Sequence, residues 1–205
     1  MARNDLPSSE KILIAAQKEF AARGYAGARM EAIAREAGSN KAMLYYYFSS
    51  KESLYRTILG RVLSGIFSEI GRFVTEQTTP AEFLEKFPEI YIRFIARNPD
   101  LPRILVFDLI HNPENVKAAM AEISRSHAEY KPVLLARIKR WHEQGLVSEE
   151  DPLHFMMNII ALSIFSFIGK PMVEAISGIR IPDDEAFFRK RIASVVNVLK
   201  QGMLK

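Results

Sequence analysis

Met30-Glu31-Ala32-Ile33-Ala34-Arg35-Glu36-Ala37-Gly38-Ser39-Asn40-Lys41-Ala42-Met43-Leu44-Tyr45-Tyr46-Tyr47-Phe48 reads as two short helices joined by a tight turn. The first covers about 30–37 and the second about 40–47, with only Gly38 and Ser39 between them, a spacing expected of a helix-turn-helix. Ala34 is small where two helices must cross closely, and Gly38 supplies the positive φ of the turn. Leu44 then plugs the space between the helices.

Upstream, a helix is expected to open near Ser8 or Ser9, after Pro7, with Leu13, Ala16 and Phe20 as its buried stripe. Gly24 should end it in the left-handed conformation, which brings the Tyr25 ring back onto Phe20. Downstream, Ser49-Ser50-Lys51-Glu52 has the capping-box pattern, Ser49 paired with Glu52, and opens a long helix to about Val74. Thr78-Thr79-Pro80 breaks the chain. Further helices are expected over 81–97, 101–111, 114–144, 152–169 and 184–203, bounded by proline- and glycine-containing breaks. Pro88, Pro102 and Pro132 are expected to kink or offset some of them. No alternating strand pattern with a hairpin turn occurs, so the fold class is all-α with about nine helices.

Of the 205 residues, 48% are hydrophobic and 25% charged, the composition of a folding globular chain rather than a disordered one. No run of about 18 apolar residues exists and the N-terminus is polar, so a cytoplasmic location without membrane insertion is expected. The chain has no cysteine, which excludes disulfides, thiolate nucleophiles and cysteine-ligated metals. Net charge is only +4, yet residues 1–56 hold nine Lys and Arg against six acids, while the remainder is nearly neutral. That asymmetry suits a polyanion at one end.

The second helix of the pair has two unlike faces. Leu44 and Phe48 point inward at i, i+4, while Lys41, Ala42, Tyr45 and Tyr46 can point out. A helix cannot bury three adjacent tyrosines on one face, so at least one phenol is expected in solvent. Ala42 adds little bulk, so the backbone could approach base edges in a major groove. The plainer reading makes the tyrosines core aromatics and Lys51 an ordinary solvated lysine, but one helix face cannot hold all three rings.

From Lys11 to Leu59 the chain resembles the N-terminal domain of the TetR/AcrR repressors. The matching pieces are Ile12…Ala16…Phe20…Gly24-Tyr25, Met30 to Gly38, and Leu44-Tyr45-Tyr46-Tyr47-Phe48-Ser49-Ser50-Lys51-Glu52-Ser53-Leu54. The resemblance implies a three-helix DNA-binding domain over 1–54 and a helical effector-binding and dimerisation domain over 55–205. It also implies that Lys41, Ala42, Met43 and Tyr46 meet base edges or adjacent phosphates, and that Tyr45, Tyr47 and Lys51 hold the DNA backbone, with Arg29, Ser39 and Asn40 beside them. Two departures stand out. The family commonly has Gly-Val-Ser where this chain has Gly38-Ser39-Asn40, and a Thr pair where it has Ala28-Arg29, which exchanges a hydroxyl contact to phosphate for a cation.

The implied function is a dimeric, ligand-responsive repressor on a pseudo-palindromic operator in double-stranded DNA, with no cofactor. A small, largely apolar effector would bind between the middle helices; which effector, and whether it induces or corepresses, is open. Tyr91, Phe94, Phe107, Asp108, His111, Trp141 and Asn158 place polar or aromatic groups on apolar helices and are the candidate effector contacts. Asp108 and His111 stand at i, i+3, but the other histidines show no ligand rhythm with them, so no metal site is assigned. The stretch 155–168 is apolar nearly all round, and with the final helix it could form an isologous four-helix bundle between two copies. Phe155, Ile159, Leu162, Ser163, Phe167, Phe188, Ile192, Val195, Val196 and Leu199 are the candidate interface residues. The rival is an all-helical enzyme or lipid-type carrier, but no catalytic triad, carboxylate pair or phosphate loop supports catalysis, and a carrier has no need of the 30–54 pattern.

Overall fold

In the computed structural model, which describes residues 7–111, 113–126 and 130–205, positive φ at Gly24 (+67°) and Gly38 (+64°) sets the course of the N-terminal chain. The first residue breaks α1 (Ser8–Gly27), and the second turns the chain between α2 (Met30–Glu36) and α3 (Lys41–Phe48). The helices that follow are α4 (Lys51–Phe73), α5 (Pro80–Arg97), α6 (Leu101–His111), α7 (Pro113–Ser126), α8 (Tyr130–Glu143), α9 (Pro152–Ile168), α10 (Lys170–Ser177) and α11 (Glu185–Met203). The described residues thus contain eleven helices and no strand, and the all-α expectation holds.

Contacts divide the chain into two compact units. One comprises Met1–Ser64 with Asp100–Ile123, the other Gly65–Pro99 with Ser124–Lys205. The compact division therefore runs later than residue 54 and returns α6 to the N-terminal unit.

In the first unit α1 packs on α2, α3 and α6, and Ile12, Ala15, Ala16 and Phe20 are its buried face. Leu13, expected in that stripe, is only half-buried, because the buried arc is centred one residue earlier. The Tyr25 ring does return to Phe20, stacking at 6.2 Å and 18°. Tyr55, from α4, joins both rings at 4.7 and 5.0 Å. Gly24 is needed twice over: its φ disfavours any Cβ, and a Cβ there would lie 2.3 Å from the Phe107 ring of α6.

In the second unit α5 packs against both α9 and α11. Phe83, Leu84, Phe87 and Ile92 of α5 share one core with Ile138, Trp141, Phe155, Ile159, Val195 and Leu199. A full capping box opens α5. The Thr79 hydroxyl accepts from the Glu82 N–H at 3.2 Å, and the Glu82 carboxylate accepts from the Thr79 N–H at 2.8 Å. The C-terminus is pinned to the α8–α9 connection, where the Ser148 N–H donates to the Met203 carbonyl at 2.9 Å. Surface ion pairs such as Lys200 to Glu85 add little, about 0–1 kcal/mol each, so burial around α5 carries the unit.

Three expectations change. Ser50, not Ser49, caps α4, its hydroxyl accepting from the Ser53 N–H at 3.0 Å, while Ser49 ends α3 at φ +61° and Glu52 pairs with Arg56 instead. The single helix expected over 114–144 is two, α7 and α8, with Pro132 in the first turn of α8, where proline costs no hydrogen bond. α10 was not foreseen: Pro171 sits in its first turn and Gly178, in the left-handed conformation, closes it. Pro88 lies inside α5 without ending it.

Gly24→Ala is expected to cost about 2–4 kcal/mol, from positive φ together with ring displacement. Gly38→Ala, where a Cβ would meet nothing within 4 Å, should cost only about 1–2 kcal/mol, the conformational part alone. Denaturant unfolding of the two variants reads this ranking, and equal costs would contradict the steric assignment.

Candidate nucleic-acid interface

The α2–α3 turn is held by backbone and cap together. The Ser39 N–H donates to the Ala34 carbonyl at 2.9 Å, and the Asn40 side chain accepts from the Met43 N–H at 2.9 Å as the N-cap of α3. Leu44 is fully buried and Phe48 nearly so, and Ala34 is buried on α2. With those two side chains turned inward, the intervening residues must face out. Tyr45 is 42% exposed, Tyr46 77% and Tyr47 41%. Ala42 is exposed and Met43 half-buried, so α3 presents a phenol-rich surface that is low at Ala42.

Cations frame this surface. Lys41, the only charged side chain of α3, lies 2.5 Å from the Glu31 carboxylate of α2, which holds the Lys41 ammonium above and the Glu31 carboxyl below their usual pKa values. Lys51 sits over the Tyr25 ring at 4.9 Å and donates to the Ala26 carbonyl at 3.3 Å; partial burial lowers its pKa. Arg29 is exposed at the start of α2, its N–H bound to Glu19 at 3.1 Å. The residues expected at DNA therefore lie on α3, the turn before it and the first turns of α2 and α4, all within one unit.

A family model described as bacterial regulatory proteins of the tetR family matches residues 12–58, and one described as YcdC-like protein, C-terminal region, matches residues 59–205. The chain is a TetR-family transcriptional regulator. It is similar to the regulator RutR of Escherichia coli, 27% identical over 94% of this chain and 88% of that protein. It is also similar to the repressor NicS of Pseudomonas putida, 24% identical over 86% and 84%. Among solved structures the fold is shared with the regulator PfmR of Thermus thermophilus, at a TM-score of 0.69 and 24% identity over 93% and 97%. A TetR-family regulator from Pseudomonas syringae aligns at 0.64 and 22% over 96% of each chain. These relatives are regulators, and the carrier or enzyme alternative is not favoured.

The effector candidates of this TetR-family chain scatter. Trp141 is buried in the second unit's core, with Phe83 at 5.7 Å and the Arg137 guanidinium 5.9 Å over its ring. Phe94 is buried against Gly65, and Tyr91 stacks on Phe87, its phenol pushed up to about 12 by burial. Asn158 is exposed on α9. The other three belong to the first unit. Phe107 packs on Gly24 and stacks with the exposed His111 at 4.4 Å. Asp108 is fully buried close to Tyr55, whose phenol is raised first by burial and then by this carboxylate. Sequence reasoning did not single out Tyr55, since a buried phenol reads as any other core aromatic.

Five of the ten interface candidates need correction, and the other five are half-buried. Phe155, Ile159, Ser163, Val195 and Leu199 are buried within the protomer, because α5 lies against α9 and α11 and fills the space a partner was expected to fill. Leu162, Phe167, Phe188 and Ile192 pack partly against that same core, and Val196 is half-buried in a polar groove with Glu89, Arg93 and Lys200. The apolar side chains that α9 leaves outside are Leu153, Met157, Phe165 and Ile168, followed on and after α10 by Met172, Val173, Ile176 and Ile179. An all-round apolar helix carries no phase, so periodicity could not tell its inner face from its outer one.

Leu44→Ala should destabilise the protein by about 2–5 kcal/mol, since it empties a fully buried site. Tyr46→Ala should change stability by no more than about 0.5 kcal/mol, as expected for an exposed side chain away from caps and cores. Thermal unfolding of both variants measures the contrast, and a large loss at Tyr46 would mean that its ring is structural.

Proposed function

We propose that this chain is a homodimeric repressor that places α3 of each protomer in successive major-groove segments of a pseudo-palindromic operator and is released or modulated by a small, largely apolar effector. The observation that carries the reading is the outward phenol face of α3, forced by the burial of Leu44 and Phe48. Base edges would be met by Lys41, Ala42, Met43 and Tyr46, and the backbone by Arg29, Ser39, Asn40, Tyr45, Tyr47 and Lys51. One eight-residue helix reads only a few base pairs, so a twofold pair is required for a useful site.

The face that supports dimerisation is the exposed apolar stripe of α9, Met157, Ala161, Phe165 and Ile168. Monomers rarely leave such continuous apolar surface to water. The effector is assigned to the second unit, where Tyr91 offers a phenol in apolar surroundings, packed against the core that contains Trp141. Because α4 contributes residues to both units, a shift of its second half is the proposed route by which effector binding alters the spacing of the two α3 helices. Trp141 is the only tryptophan, so its fluorescence reports effector binding directly.

Lys51→Ala should weaken binding to duplexes of every sequence and flatten the slope of log affinity against log salt by about one unit. Fluorescence anisotropy across a salt series measures it; an unchanged slope removes Lys51 from the phosphate contacts, and a wild-type protein that binds no duplex removes the repressor reading. Phe165→Glu, on the outer face of α9, should convert dimer to monomer in sedimentation velocity with the helical signal intact. A dimer that persists would place the interface elsewhere.

A further inference from the structure

The recognition helix has one charged side chain, and it is not free. Lys41 Nζ and Glu31 Oε1 are 2.5 Å apart, joining the first turn of α2 to the first turn of α3 across the turn of the motif. Both side chains remain at least half exposed, 50% and 66%. A pair so exposed contributes little to folding. Its consequence lies instead on the surface that meets a polyanion.

We infer that Glu31 is a specificity-determining residue, which holds the ammonium of Lys41 and so keeps the recognition helix's cation from being spent on phosphate. The inference rests on α3 being the groove-facing helix.

The argument is electrostatic. When a phosphate approaches, Lys41 either stays with Glu31 and neutralises no phosphate charge, or leaves it and strands a carboxylate against the DNA. Either course reduces the attraction that Lys41 can supply. Phosphate neutralisation is the term that binds all sequences alike, whereas discrimination comes from contacts to base edges. A device that weakens the first and spares the second raises the ratio of specific to non-specific affinity. The geometry also restrains Lys41: its ammonium is fixed from one side by Glu31, with the Tyr45 ring 6.0 Å away. A tethered ammonium is held at one point of the groove instead of sweeping the nearer phosphates. The remaining outward groups of α3, the three phenols, carry no charge that could replace it.

The test uses the full-length protein, a random-sequence duplex pool and a duplex enriched from that pool by the wild-type protein. Glu31→Gln should bind the random pool roughly three- to tenfold more tightly near 0.1 M salt, with a salt slope steeper by about 0.9 unit. Affinity for the enriched duplex should rise less, so the ratio falls. In a Lys41→Met background the same Glu31→Gln substitution should give a clearly smaller gain in affinity and slope, the part due to carboxylate repulsion alone. An equal gain in both backgrounds would show simple repulsion by Glu31 and overturn the inference, as would an unchanged slope in the single variant. If the wild-type protein shows no salt-dependent duplex binding at all, the groove-facing role of α3 fails together with the inference. If it binds with a steep slope while Glu31→Gln is silent, only the inference fails. Equal thermal unfolding of the variants, expected for exposed positions, keeps the comparison one of binding.

Discussion

The burial of Leu44 governs the α3 surface proposed to meet DNA. Once that side chain is fully enclosed and Phe48 follows it one turn later, the rotation of α3 is set and the three intervening tyrosines have nowhere to go but outward. The same burial needs Ala34 to be small and Gly38 to turn the chain at positive φ, so the two helices can close on the plug. Shape at the surface is thus a by-product of packing beneath it. A helix rotated by one residue would bury a phenol and expose a leucine, losing both the core and the groove-facing surface.

The second unit works by a different economy. α5 is enclosed by α8, α9 and α11, and its aromatic residues fill the volume between them. That leaves apolar side chains exposed on the outer side of α9 and on α10; Ile176, at 79% exposure, is the extreme. An apolar helix one side of which is saturated by its own core and the other left bare is the arrangement that a second copy would complete. Ion pairs such as Arg93 with Glu185 and Lys18 with Glu36 join helices already packed together, whereas the Lys41–Glu31 pair lies on the surface proposed to meet DNA.

Much of this was legible in the residues. The small, glycine, large apolar spacing at Ala34, Gly38 and Leu44 located the turn and its plug, and Gly24 with Tyr25 located the break in α1. What failed did so for identifiable reasons. The adjacent serines 49 and 50 offer the same cap, and only the backbone decides that Ser49 takes positive φ and leaves Ser50 to accept from Ser53. The inner and outer faces of α9 share one composition, so Phe155 and Ile159 could not be told from Met157 and Phe165. Glu31 gave no signal, because a pair ten residues apart has no helical spacing to betray it. The buried carboxylate of Asp108 was seen as a candidate contact, yet its enclosure near Tyr55 follows from the docking of α6 on α1, which no local pattern encodes.

Selection of bound duplexes from a random pool by the full-length protein tests the central claim most directly, since it asks whether two copies of the α3 surface read one DNA. The account requires a twofold-symmetric consensus whose half-sites lie on one face of the duplex, about 34–36 Å apart or a multiple of that spacing. Failure to enrich any sequence, or an asymmetric consensus with a single half-site, would contradict it.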